Sequence, residues 1–181
     1  MSLKNTSESY GTLTIILHWL MAIMIMMIVF IGFNMTGMED GDDKWEIYAM
    51  HKAAGLIILT LALFRWFWML TNEKPNPLAG WTNAEITIGK ATKWILMVMM
   101  LAMPVAGVTM SLAGGHDIGF FGLFTIAAFA EENKPLAGIA HEIHEIGGIA
   151  IAVVIGLHIL AAFKHHFLKK DKTLARMIGR K

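Results

Sequence analysis

The sequence predicts an all-α fold, an integral membrane four-helix bundle, in a single domain covering residues 1–181. Three observations predict it. Of the 181 residues, 56% are hydrophobic, and the mean hydropathy is +0.56. The apolar residues gather in four continuous stretches close to the roughly 20 residues that cross a bilayer. A soluble domain of this length would alternate polar and apolar residues more clearly. The charged residues, finally, are sorted between the connecting segments by sign.

The first span covers about 12–33 and follows a polar start, MSLKNTSESYG. That start carries no cleavage signature, so the span is expected to stay in the mature protein. The second, about 48–70, follows the acidic segment Met38–Glu46, which sets five acids against Lys44 alone. The third, about 92–112, contains Pro104, a kink or local loosening that neighbouring helices tolerate in a membrane. The fourth, about 140–163, runs into the basic string AAFKHHFLKK. The methionine-rich strings MAIMIMM and WILMVMM are read as lipid-facing or gap-filling residues. Trp19, Trp66, Trp68 and Trp94 fit an inner aromatic belt, with Trp45 and Trp81 at loop or interface positions.

Orientation follows from lysine and arginine, which concentrate on the cytoplasmic side. The second connection holds Lys74, Lys90 and Lys93 with Arg65 at its edge, and the tail holds seven basic residues from Lys164 to Lys181 against Asp171. The first and third connections are acidic. Both termini and the second connection are therefore placed in the cytoplasm, with the first and third connections outside, in a multi-pass membrane protein. The net charge of +1 indicates no nucleic-acid partner.

Four histidines lie inside the apolar stretches: His18, His51, His144 and His158. Ionisable groups within a bilayer are costly and mark functional sites by default. His144 and His158 are fourteen residues apart, which is about 21 Å of helix rise with roughly 40° of angular offset. They leave one face of the fourth span at two depths. The topology places His18 at the depth of His158, toward the cytoplasm, and His51 at the depth of His144, toward the outside. Such pairs suit two stacked haems, each held by two neutral imidazoles. The chain has no cysteine, which excludes disulfides, cysteine-ligated clusters and covalent haem attachment. The competing reading is a set of interhelical hydrogen bonds.

Small residues beside these histidines (Ala53, Ala54 and Gly55; Gly147, Gly148 and Ala150; Gly156, Ala161 and Ala162) would open space for porphyrin or serve close helix packing. His141 projects about 100° off the His158 face and is read as interfacial. HEIHE, His141–Glu145, lacks the H-E-x-x-H order of zinc proteases. Arg65 lies fourteen residues after His51. It should reach the depth of His158, either to pair with a haem propionate or to snorkel to phosphate. His165 and His166 form either an interfacial basic cluster or part of a quinone pocket, in which a histidine delivers a proton.

These motifs together resemble the bacterial cytochrome b561 family, small four-helix dihaem cytochromes of the inner membrane. The resemblance covers nearly the whole chain: ILHWL around His18, MHKAAG around His51, AMPVAG around Pro104, HEIGG from His144, GLH ending at His158, and HHFLKKDKTLARM from His165. It implies two non-covalent haems b, with His18/His158 and His51/His144 as axial ligands. It also implies exchange with ubiquinone, as acceptor or donor, with His165 near the quinone. The activity it implies is that of a superoxide:ubiquinone oxidoreductase.

The acidic outer connections depart from what an anion collector needs, unless Lys44, Lys52, His116 and Lys134 form a local positive patch. The tail ends RMIGRK where the family more often has RMMPRK. Besides membrane lipid and quinone, the partner is superoxide or a periplasmic electron-transfer protein. In the latter case the chain would be a membrane anchor for a soluble dehydrogenase or hydrogenase. A transporter or intramembrane metal protein using the histidines directly is the rival from another class.

Overall fold

A computed structural model describes residues 2–180. Four long helices, α1 (Thr12–Thr36), α2 (Asp42–Thr71), α3 (Asn83–Ala113) and α4 (Lys134–Phe163), follow one another. All four are long and apolar enough to cross a membrane. A π-helical turn, Lys164–Lys169, extends α4, and a short helix α5 (Thr173–Met177) ends the described chain. Between α3 and α4 lies an antiparallel hairpin, β1 (Ile118–Phe120) and β2 (Phe124–Ile126), with Ile118 opposite Ile126 and Phe120 opposite Phe124.

The expected spans sit inside these helices, but three helices begin well before them. The cause is capping. Asp42 and Asp43 occupy the first turn of α2, where the helix dipole favours negative charge. Thr82 and Glu85 form a reciprocal capping box at α3, which satisfies two backbone donors. The Asn133 side chain accepts the Leu136 N–H at 3.1 Å, and Pro135 stands in the first turn of α4, where it sacrifices no helical hydrogen bond. Polar residues thus prolong the helices beyond the apolar stretch.

Consecutive helices pack on one another, and α4 returns to touch α1. Met21 and Ile25, Ile58 and Ala62, Met97 and Met100, and Ile151 form the central cluster, drawn from all four helices. The methionines divide as an adaptable side chain should: Met21, Met97 and Met100 fill the interior, while Met26 and Met27 face outward. Pro104 is buried in an uninterrupted α3. The outward faces carry Phe30, Phe67, Leu157 and Leu160, each at least 60% exposed. So much contiguous apolar surface is stable against lipid, not water.

One end of the bundle is laced together. The Asn5 N–H donates to Asn72 Oδ1 at 3.0 Å and its side-chain amide to the Glu73 carbonyl at 2.9 Å. Arg176 Nη1 donates to the Asn76 carbonyl at 2.8 Å. The N-terminal segment, the α2–α3 connection and α5 therefore meet at the same end, as the charge sorting requires.

Candidate functional site

The four membrane histidines come together in the two expected pairs. His18 on α1 and His158 on α4 have ring centroids 6.2 Å apart, at 63°. His51 on α2 and His144 on α4 are 6.1 Å apart, at 78°. A metal bonded to an imidazole nitrogen lies about 2.0–2.1 Å from it. Two imidazoles on opposite sides of one metal atom would therefore hold their centroids about 6 Å apart, and both pairs fit. Among the described residues no three His, Cys, Asp or Glu side chains gather as a protein-only metal cage would need. A macrocycle that supplies nitrogens of its own would suit such a pair of imidazole ligands.

The His51/His144 pair is held by backbone and by glycine. His144 Nδ1–H donates to the Met103 carbonyl of α3 at 2.9 Å, which leaves Nε2 free to ligate. The ring reaches that carbonyl because Gly107, one turn further along α3, has no side chain. A Cβ there would lie 3.0 Å from His144 Cε1 and 3.2 Å from Nδ1. On α1, a Cβ at Gly32 would stand 3.3 Å from His51 Cε1. His51 Nδ1 is buried with no hydrogen-bond partner.

The sequence does not mark Gly32, and it marks Gly107 only as the last residue of AMPVAG, with no tie to a histidine. Glycine inside a helix costs about 1 kcal/mol relative to alanine, and that cost was the available signal of a packing role. The glycines that did stand out separate into two groups. Gly147 and Gly148 abut Met103 and serve the α3–α4 contact, whereas Gly55 and Gly156 face open space.

Arg65 lies half-buried on α2, near both His18 and His158. It has no carboxylate partner among the described residues. Tyr10, just before α1, borders the same region. Burial pushes its phenol above the ordinary value, while Arg176 and Arg65 pull the other way.

The twin histidines of the tail have different fates. His165 is buried and His166 exposed. His165 Nδ1–H donates to Asp171 Oδ2 at 2.5 Å, and the Trp81 ring lies 4.7 Å from its ring. Trp81 Nε1–H donates to the same carboxylate oxygen at 3.0 Å. The other oxygen accepts the Thr173 N–H at 2.8 Å and its hydroxyl at 2.5 Å. Burial alone would raise the Asp171 carboxyl, but hydrogen bonds from Thr173, His165 and Trp81 outweigh it and hold the group down at about 2. The π-helical turn carrying His165 is pinned to the start of α3, where Glu85 binds Lys169 at 2.6 Å and Lys164 at 3.6 Å.

At the other end, the expected basic patch is largely engaged. Lys44 pairs with Asp40 at 2.9 Å and Lys134 with Glu132 at 3.9 Å. Lys52, adjacent to His51, donates to the Asp117 carbonyl at 3.2 Å. His141 sits on the surface of α4 beside Glu145, 3.5 Å away.

Comparison with known proteins adds the following. The family model of prokaryotic cytochrome b561 matches residues 9–180. The chain is 30% identical over 181 residues to cytochrome b561 homolog 2 of Escherichia coli (strain K12), covering 99% of this chain and 96% of that one. It is 27% identical over 175 residues to the probable superoxide oxidase CybB of Yersinia pestis, covering 96% and 98%. Cytochrome b561 homolog 1 of Escherichia coli (strain K12) is 24% identical over 172 residues, covering 92% and 95%.

Proposed function

This chain belongs to the prokaryotic cytochrome b561 family, a family of membrane electron-transfer proteins with b-type haem, and from that premise we propose that it oxidises superoxide at the outer surface and reduces ubiquinone near the cytoplasmic one. The overall reaction takes one electron from each of two superoxide ions, releasing two dioxygen molecules. It adds both electrons and two protons to the quinone. The observation that carries the reading is the pair of histidine couples, 6.1 and 6.2 Å across, stacked along α4. The name of the Yersinia relative supports superoxide as the donor.

His51 and His144 would hold the outer haem b, and His18 and His158 the inner one. Haem b, when bound, supplies reversible one-electron exchange at iron. The chain does the rest. The Met103 carbonyl fixes the His144 tautomer and ring orientation, as second-sphere partners of ligating histidines do. Arg65, a cation without a carboxylate at the inner pair, is suited to a propionate. His165, oriented by Asp171, would donate a proton to the quinone oxygen. The positive tail, lying with the N-terminal segment and the α2–α3 connection at one end of the bundle, supports a cytoplasmic location for that end.

Pyridine haemochrome quantitation tests the ligand set. Two haems per chain are expected, and His18→Ala and His144→Ala should each leave one. Retention of both in either variant would refute that ligand. Stopped-flow spectroscopy tests the donor and acceptor: superoxide should reduce the haem bands and ubiquinone should reoxidise them.

A second reading rests on the outer surface, where Lys44 and Lys134 are paired with acids and Glu39, Asp42, Asp43 and Glu46 stand exposed. Such a face suits a basic periplasmic protein, with this chain as its membrane anchor. A soluble dehydrogenase or hydrogenase subunit that co-purifies stoichiometrically, together with haem bands that superoxide leaves unreduced, would favour it.

A further inference from the structure

From Ile118 through Ala130 the chain carries no charged residue, and the β1–β2 turn reads Phe-Phe-Gly-Leu-Phe over 120–124. Phe121 and Gly122 both have positive φ, 47° and 75°, and the Leu123 N–H donates to the Phe120 carbonyl at 2.9 Å. Two successive positive φ values make the tight hairpin turn whose twist matches its strands, a turn that favours asparagine or glycine at its first central position. A bulky phenylalanine there works against the backbone. Its ring does not repay that by packing inside, since Phe121 is 59% exposed and the next side chain, Leu123, 78%. An outlier of this kind points to a use outside folding.

The position of the hairpin says what that use is. Its base is tied to α2 by Lys52 Nζ, which donates to the Asp117 carbonyl, and is closed by the Ala128 N–H donating to Asp117 Oδ1 at 2.8 Å. Past that tie, Phe120, Phe124 and Ile126 face the Leu56–Leu63 stretch of α2 across a cleft of about 520 Å³. No charge occurs on α2 between Lys52 and Arg65. The far end of the cleft, Leu63, is about 16 Å of helix rise below Lys52. That depth belongs to hydrocarbon and is closed to a soluble protein. Thr60, the polar side chain in the cleft, already donates to the Leu56 carbonyl at 3.0 Å, so nothing there would orient a polar headgroup. The open edges of three-residue strands, meanwhile, need water or headgroups within reach.

We propose that the β1–β2 hairpin is an interfacial anchor seated in the outer leaflet. Its Phe121–Leu123 tip, with Phe121 and Gly122 bordered by Glu46, Ala49, Met50 and Ala53, dips into the lipid at the headgroup boundary, and phospholipid acyl chains fill the cleft against α2.

The absence of cysteine makes the test clean. Phe121→Cys, Leu123→Cys and, as a polar control in the same connection, Glu132→Cys would each carry one nitroxide label. The protein would be haem-loaded and in vesicles of phosphatidylcholine and phosphatidylglycerol. Labels at 121 and 123 should collide severalfold more often with dissolved oxygen than with a water-soluble nickel chelate, and the label at 132 should show the reverse. Two positions are used so that strain at 121 does not decide the result. Chelate access at 121 and 123 equal to that at 132 would overturn the proposal. So would label–label broadening at these positions that survives dilution in lipid, because that would assign the surface to a second copy of the chain.

Discussion

Gly107→Ala should leave about one haem per chain, with the outer one lost. The added methyl would stand 3.0 Å from His144 Cε1 and 3.2 Å from Nδ1, inside the about 3.5–4.0 Å at which nonbonded carbons rest. Backbone of α3 lies on one side of the ring, so the imidazole must give by a few tenths of an ångström, which strains its bond to the Met103 carbonyl. That bond alone is worth about 0.5–1.5 kcal/mol. The larger effect is on the ligand: loss of a second-sphere partner typically weakens metal binding about 10–100-fold.

The sign of the result is informative because alanine favours helix over glycine by about 1 kcal/mol. A general change in helix stability would thus act in the opposite direction. Pyridine haemochrome analysis and the reduced-minus-oxidised spectrum would report the loss. Gly138→Ala, at a position with nothing within 4 Å of the added carbon, should keep the full complement. Two intact haems in Gly107→Ala would mean that α3 yields at this point and that the close approach is incidental.

Asp171→Asn should slow quinone-driven reoxidation by about 100-fold or more while leaving both haem bands in place. A positioned proton donor contributes about 10²–10⁴ to rate, and an amide in place of the carboxylate loses both its charge and its control of the His165 tautomer. The pH dependence has a definite sign. The Asp171 pKa is depressed, from 3.8 to about 2, so its stabilising contact is fully present above 3.8 and is lost as pH falls through about 2. Parental reoxidation should therefore show no Asp171 inflection between pH 5 and pH 9, and the defect of the variant should persist across that range. Stopped-flow reoxidation of the dithionite-reduced protein measures both. A variant that reoxidises at the parental rate would remove the His165–Asp171 couple from the proton route.

The histidine pairs were legible because two regularities converge on them. Helical periodicity puts His144 and His158 on one face of α4, and charge sorting puts His18 and His51 at matching depths. The Asp171 contacts were not legible in this way. Trp81 and Asp171 are ninety residues apart, in segments without periodicity, and only the π-helical turn separates a buried His165 from an exposed His166. The contact of Gly107 with His144 was not legible either, because glycine is common in membrane helices for ordinary packing reasons. The hairpin escaped because a short apolar run between spans offers neither the length of a helix nor a polar turn of the usual composition. The helix ends extend beyond the spans because capping by Asp42, Thr82 and Asn133 depends on local chemistry that hydropathy does not weigh.

The layer of Met21, Ile25, Ile58, Ala62, Met97, Met100 and Ile151 has an electrical consequence. Around it, residues 19–33, 53–64, 94–108 and 146–157 carry no ionisable side chain, so on the reading above negative charge would cross it uncompensated, with protons drawn from the cytoplasmic side. Moving one charge across a full membrane is worth about 2.3 kcal/mol per 100 mV. Each turnover would then add to the resting voltage of the cell, and a strongly energised membrane would act as a brake on its own recharging.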